Sequence, residues 1–243
     1  MTLVLVCAIL YAKGVIPLTN KQFVDQLKKA VDSKTLYIMG CFGSPMNKWN
    51  KQRYTNNYAY NKQTERKTMI EGASADTFGF DCVCLVKGIL WGWNADVNHS
   101  YGGATYQSNG VPDTTIPNLL KNYCTEQSTD FSKIEVGEFL TMDGHCGVYI
   151  GDGLAIESTP KWKNGVQITE VWNIKKTSSV GRTWVSHGKL KAVEYIKEEP
   201  KPDPVKCDVF CVFPENATDA EINSTRVEME RIGVRPVILT KRG

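Results

Sequence analysis

The sequence predicts an α+β fold in which a helical first half packs on an antiparallel sheet. Three observations carry this expectation. Apolar residues recur at helical spacing in several segments between Thr19 and Cys124. After Ser132 the period shortens, and brief β-rich segments are separated by Gly, Asp and Asn. Helices first and strands afterwards is the order of an α+β chain, not of an alternating α/β one. At 243 residues the chain can bury one medium-sized core and a small second unit.

The first 17 residues form an extension. Met1 to Ala12 is apolar but too short for a membrane span. It lacks a basic leading region, and no clean small-x-small cleavage site precedes Pro17. A buried strand and a targeting segment are equal readings. Thr19 and Gln22 form a capping box, and Phe23, Val24, Leu27, Ala30 and Val31 follow on one helical face, ending near Asp32. Tyr37 to Pro45 is apolar and then broken by Gly and Pro. Asn47 to Lys67 is polar and basic, with Trp49, Tyr54, Tyr58 and Tyr60. It reads either as a solvated loop with aromatics tucked onto the core or as one wall of a groove for an extended, acidic ligand. A second helix is expected over about 63–73.

From Cys82 the helical period is clearest, with Cys82, Leu85, Val86, Ile89, Leu90 and Trp93 on one broad face. Asn94 to Pro112 reads as a long loop, and Thr115 to Cys124 as a short helix. Strands are expected near 136–141, 145–150, 154–159, 165–171 and 190–196. Lys197 to Lys206 is a charged linker spaced by prolines. Beyond it, 207–243 reads as β-α-β: strand Val209–Phe213, a helix capped by Thr218 and Glu221 with Ile222, Thr225, Met229 and Ile232 on one face, a stop at Gly233, and strand Val237–Thr240. So small a unit cannot bury its own face and should dock on the main domain, on a copy of itself in a homodimer, or on a partner.

A net charge of +3 is too weak to argue for nucleic acid. Eight cysteines at irregular spacing lack the paired pattern of a zinc ribbon, which favours reduced thiols. No metal or cofactor is expected, and a zinc site from Cys82, Cys84, His145 and Cys146 is the weakest alternative.

The chemistry centres on Cys82. In the first turn of a helix, unpaired N–H groups and the dipole favour a thiolate. Of the three histidines, only His145 has a defined setting; His99 and His187 read as structural. Gly144 to Ser158 reads as a hairpin turning at 151–153, in which Ile150 pairs with Leu154 and Gly147 with Glu157. His145 and Glu157 then share a face as diagonal neighbours, about 7–8 Å apart. Cysteine, base and orienting acid would suit acyl transfer from an amide. The Cys82 N–H is a candidate oxyanion donor, with Tyr37 as a second and Asp81 beside it. Trp49, Tyr54 and Trp91 are candidate groove residues. Cys84, off the apolar stripe, reads as structural, with a redox role towards Cys82 behind that.

The run Phe-Asp-Cys-Val-Cys-Leu-Val from Phe80, followed by Gly-His-Cys-Gly-Val-Tyr-Ile-Gly-Asp-Gly from Gly144, resembles the NlpC/P60 papain-like peptidoglycan hydrolases, closest to those of phage endolysins. The resemblance covers roughly 18–196. It implies a papain-like fold with Cys82 as nucleophile, His145 as base and Glu157 as third member, and Tyr37 and Gly40 match its Tyr-x-x-Gly element. It implies cleavage of an amide in the cell-wall peptide stem, without metal, by a protein made in a host cytoplasm and acting at the wall. Three departures stand out. The family's Asp-Cys-Ser-Gly is Asp-Cys-Val-Cys, its Tyr-x-Trp-Gly-Gly is Tyr-Ile-Met-Gly-Cys, and its third member is more often His. A glutamate there is also similar to CHAP-type amidases. The C-terminal unit resembles half of a SPOR-type wall-binding fold.

Overall fold

The structure is a computed structural model that describes residues 17–196, 209–213, 217–231 and 236–240. The expected extension up to residue 16, the linker 197–206 and the helix stop at Gly233 lie outside these residues. The chain divides into two compact units between Ile196 and Lys197.

The first unit is α+β. Its elements in order are β1 (Leu18–Thr19), α1 (Asn20–Asp32), β2 (Thr35–Tyr37), β3 (Phe42–Pro45), α2 (Lys48–Asn57), α3 (Ala59–Lys62), α4 (Thr64–Gly72), β4 (Phe78–Phe80), α5 (Cys82–Leu90), α6 (Ile116–Tyr123), β5 (Cys124–Ser128), β6 (Phe139–Met142), β7 (His145–Gly151), β8 (Leu154–Thr159), β9 (Gly165–Val171), β10 (Gly181–Arg182), β11 (Ser186–Leu190) and β12 (Val193–Glu194). The main sheet has seven strands in the order β10-β9-β8-β7-β6-β11-β5. It is antiparallel except where β10 runs parallel to β9. A second sheet, β2-β4-β3, leads into α5, and β1 pairs with β12.

The capping box on α1 forms as the sequence suggests: the Gln22 N–H donates to Thr19 Oγ1 at 3.2 Å and the Thr19 N–H to Gln22 Oε1 at 2.9 Å. The buried face of α1, Phe23, Leu27 and Ala30, joins that of α5 (Leu85, Val86, Ile89) over Cys146, Val148 and Ile156 of the sheet. This is the main core, and it fixes the start of α5 against β7 and β8. Gly88 permits the close fit of α5 on β3, since a Cβ there would lie 2.5 Å from the Phe42 carbonyl oxygen.

Three expectations are corrected. The polar stretch from Asn47 is helical as α2 and α3, ahead of the expected helix, which forms as α4. It shows no apolar stripe because it buries polar side chains with their hydrogen bonds made. Asn61 donates to the Met39 and Tyr54 carbonyls and accepts from the Met39 N–H, and Asn50 donates to the Pro45 carbonyl. Hydropathy periodicity cannot register such burial. The expected strand at 190–196 begins earlier, as β11, and is followed by the short β12. The hairpin is bulged: Val148 pairs with Ile156 and Tyr149 with Ala155, but Leu154 pairs with Gly151, leaving Ile150 out of the ladder.

In the second unit, β13 (Val209–Phe213) and β14 (Pro236–Thr240) pair in parallel, joined through α7 (Asp219–Arg231). Thr218 and Glu221 exchange side-chain to backbone hydrogen bonds at the start of α7.

Candidate active site

Cys82 is the first residue of α5. Asp81 caps that helix: Oδ1 accepts from the Cys84 N–H at 2.7 Å, and Oδ2 accepts from the Gly40 N–H at 2.8 Å. Burial, with the neighbouring Cys82, raises the Asp81 carboxyl to about 6. Its oxygens act on backbone groups of the protein, so its place is to hold the helix start and the Gly40 turn together. The Ser158 hydroxyl adds a tie from β8, donating to the Phe80 carbonyl at 2.9 Å. The helix that carries Cys82 and the hairpin that faces it are therefore hydrogen-bonded one residue before the cap.

His145 opens β7 and meets Cys82. Its Nε2 donates to Glu157 Oε2 at 2.5 Å, which leaves Nδ1 for the thiol. The Cys82 thiol falls from its ordinary 9.0 to about 4. A hydrogen bond from Cys146 is the main cause, and the hydrogen bond and charge of His145 add to it against the opposing effect of burial. For His145, burial works downward, but hydrogen bonds to Cys82 and Glu157 prevail and raise it above 6.5. Burial alone would raise Glu157, but His145 and then Arg182 hold it below its ordinary value. These shifts favour a thiolate–imidazolium pair backed by a carboxylate.

Two residues that sequence reasoning missed complete the cluster. Arg182, from the two-residue strand β10, donates through Nε to Glu157 Oε2 at 2.7 Å and through Nη2 to Thr159 Oγ1 at 2.9 Å. Trp184 stacks on the imidazole, with centroids 5.8 Å apart and planes 18° from parallel. Asn173 holds the Trp184 backbone, accepting from its N–H and donating to its carbonyl. The only sequence signal for either residue was an Arg-Thr-Trp run in a region without periodicity. Thr169 completes the surroundings of Glu157, donating to Oε1 at 2.7 Å.

The other sequence candidates divide. Tyr37 is buried beside the site; burial, and then the negative charge of Cys82 and Asp81, push its hydroxyl pKa well up. Arg66, also buried, donates to the Tyr37 carbonyl and to Asn164 Oδ1, and packs over the rings of Tyr37 and Tyr60. Trp91 is not a groove residue: it is core, 1% exposed, packed edge-on against Phe42 and donating to the Val111 carbonyl. Trp49 stands 73% exposed at the start of α2 and lines no cavity among those described. Tyr54 is buried, but its edge lines a cleft of about 460 Å3 beside α5. Arg53, Tyr58, Tyr101, Lys87 and Val83 also line that cleft. It reaches Asp81 and Val83, on either side of Cys82, without including Cys82 itself. His187 is buried against Glu138 and the Asp130 carbonyl, and His99 is exposed beside Asp96. Among the described residues, no group of three or more His, Cys, Asp or Glu side chains is arranged to hold a metal ion, and no helix is long and apolar enough to cross a membrane.

Fold and site together define an α+β domain carrying a cysteine–histidine–glutamate cluster, with the cysteine at a helix start and the other two on adjacent strands. No protein-family model and no curated protein matches the chain. Among solved structures it is similar to NlpC1 from Trichomonas vaginalis, at 12% identity and a TM-score of 0.34 over 74% of this chain. The match spans about half of that protein, 48% of its length.

Proposed function

We propose that the chain is a cysteine hydrolase that cleaves an amide bond in the peptide stem of peptidoglycan, through an acyl-thioester on Cys82. The observation that carries the reaction class is the contact chain Cys82–His145–Glu157, with a thiol held far below its ordinary pKa and an imidazole above its own. The papain-like arrangement implied by the NlpC/P60 resemblance agrees with a nucleophile at a helix start packed on the strand that bears the base. The wall substrate rests on that motif resemblance.

In this reading the Cys82 thiolate attacks the amide carbon. The Cys82 N–H, at a first helical position without an intrahelical acceptor, donates to the developing oxyanion. The His145 imidazolium gives its proton to the leaving amine, and the acyl group stays on sulfur. A water, deprotonated by His145, then releases the acid. Glu157 holds the imidazole tautomer and balances its charge. The cleft beside α5 would receive part of the peptide. In such a bacteriolytic protein the C-terminal unit would bind wall or a second copy.

A glutamate as third member also favours a second reading, a muramoyl-alanine amidase of CHAP type. Purified sacculi test the proposal: the wild type should lower their turbidity and release new amino groups, and His145→Ala should do neither. Binding to sacculi without release by the wild type would mark a wall-binding module instead.

A further inference from the structure

Two stretches that stand out in the sequence, the basic aromatic run from Asn47 and the loop from Asn94 to Pro112, both line the cleft of about 460 Å3 beside α5. Arg53 from α2 and Tyr101 from the loop meet there. Arg53 Nη1 donates to the Tyr101 hydroxyl at 3.0 Å. The guanidinium also lies 5.3 Å from the Tyr101 ring centroid and 5.4 Å from that of Tyr54. Two rings and one hydrogen bond thus hold it in place before any ligand arrives. Phe42 packs against Tyr101, centroid to centroid at 4.6 Å, and steadies that ring in turn.

The other charged groups of the cleft already have partners. Lys87 is buried and pairs with Asp113 and the Thr114 carbonyl, and the second Asp113 oxygen accepts from the Tyr106 hydroxyl at 2.8 Å. Asp81 gives both oxygens to backbone N–H groups. Arg53 differs. Among the described residues it forms no ion pair, and its guanidinium donates only to the neutral Tyr101 hydroxyl. Nε and Nη2 are neither buried nor bonded, so one edge of the planar fork is open. Tyr58 lines the same cleft, and among the described residues its hydroxyl has no hydrogen-bond partner. That hydroxyl lies over Gly40, where a Cβ would stand 2.2 Å from it. Gly40 is in turn bonded to Asp81, the neighbour of Cys82.

We propose that Arg53 is a specificity-determining residue that binds a carboxylate of the peptide, so that stem peptides with a free glutamyl carboxylate are preferred over those in which it is amidated. The inference rests on the proposed hydrolase and names the substrate feature that its cleft reads. A carboxylate fits the open edge of a guanidinium through two parallel hydrogen bonds. Asp81 and Asp113, which also line the cleft, disfavour a doubly charged phosphate there. The Tyr58 hydroxyl adds a neutral donor at the end nearest Cys82. The volume is in the range of small-ligand sites, about 300–1,000 Å3, and suits a few groups, not a long chain. The amide that is cut must sit at Cys82, and the cleft begins at its neighbours Asp81 and Val83. The carboxylate is therefore one borne by a residue next to the scissile bond.

The experiment is calorimetric titration of the full chain carrying Cys82→Ala, so that nothing is turned over. The probes are alanyl-γ-D-glutamyl-lysine amide, whose glutamyl carboxylate is free, and its isoglutamine counterpart. The acid should bind at least about tenfold more tightly than the amide, the worth of one charge-assisted contact. Arg53→Gln in the same background should remove the difference by weakening the acid alone. Arg53→Lys, with charge but no fork, should recover only part of it. Equal affinities with Arg53 present, no binding of the acid, or a preference that survives Arg53→Gln each overturn the proposal. Should the Arg53 variants not fold, the Arg53 Nε–H resonance of the Cys82→Ala chain decides. It should shift with the acid and not with the amide; a resonance that ignores the acid, or moves as much with the amide, overturns the proposal equally. The wall-hydrolase reading is judged separately, by release of amino groups from sacculi by the wild type. An active wild type without the preference sinks this inference alone, and an inactive one with the preference sinks only the hydrolase.

Discussion

One carboxylate oxygen of Glu157 accepts from both His145 and Arg182: Nε2 reaches Oε2 at 2.5 Å and Nε reaches it at 2.7 Å. Glu157 is 0% exposed, so this oxygen carries its charge out of reach of water. The arginine holds the carboxylate in place and ionised, and the carboxylate orients the imidazole. The imidazole therefore depends on a residue 37 positions further along the chain, acting through Glu157.

Glu157→Gln keeps the shape and removes the charge that balances imidazolium. We expect kcat to fall by about 10^2- to 10^4-fold. The basic limb of the pH profile should also move to lower pH, because His145 loses the partner that raises it. Steady-state kinetics across pH on a wall substrate checks both. A variant with wild-type kcat would remove Glu157 from the mechanism.

The pH profile of the wild type follows from the two shifted groups. The thiolate forms as pH rises through about 4, and the imidazolium is lost as pH rises through a value above 6.5. Their ion pair is thus populated between these limits. kcat/KM should be bell-shaped with a plateau inside that window. An acid limb near the ordinary thiol value of 9.0 would contradict the assignment.

Arg182→Met leaves the buried Glu157 charge without its second partner. Breaking a buried pair in this way costs on the order of 3 kcal/mol, readable by urea unfolding. Arg182→Lys should not restore it, since a point ammonium cannot span Glu157 Oε2 and Thr159 Oγ1 as Nε and Nη2 do. Equal stability of Lys and Arg at 182 would count against this geometry.

Gly147 is the glycine after the His-Cys pair, and its role is space. A Cβ there would stand 3.0 Å from Trp184 Cη2 and 3.1 Å from the Ile156 carbonyl oxygen. Gly147→Val should displace the indole from the imidazole, costing about 1–3 kcal/mol from overpacking. Activity should fall more than tenfold, where each 1.36 kcal/mol of barrier is a factor of ten. Trp49→Ala should leave activity within about twofold, as a change at an exposed site away from the cluster. A large loss there would return Trp49 to the substrate surface.

Much of this arrangement was legible in the sequence, for physical reasons. The Thr19–Gln22 box, the apolar stripe of α5 and the alternation around Val148 and Ile156 are local patterns set by burial of apolar side chains. They are enough to bring Cys82, His145 and Glu157 onto facing elements. Other features left no such trace. Helices α2 and α3 bury Asn50 and Asn61 through hydrogen bonds, so no hydropathy period marks them. Arg182 enters from a two-residue strand after a polar loop and Trp184 from the segment just beyond it, and their partners lie at Glu157 and His145. Cys84 drew attention as the adjacent thiol, yet helical geometry turns it towards the cleft.

The most direct measurement is digestion of defined muropeptides, with mass-spectrometric identification of the new ends, by the wild type and by Cys82→Ala. The expected result is a single class of amide cleaved by the wild type, with no cleavage by a Cys82→Ala protein that keeps its circular dichroism and melting transition. Cleavage persisting in that folded variant would contradict a nucleophile at Cys82, and with it the function proposed for the cluster.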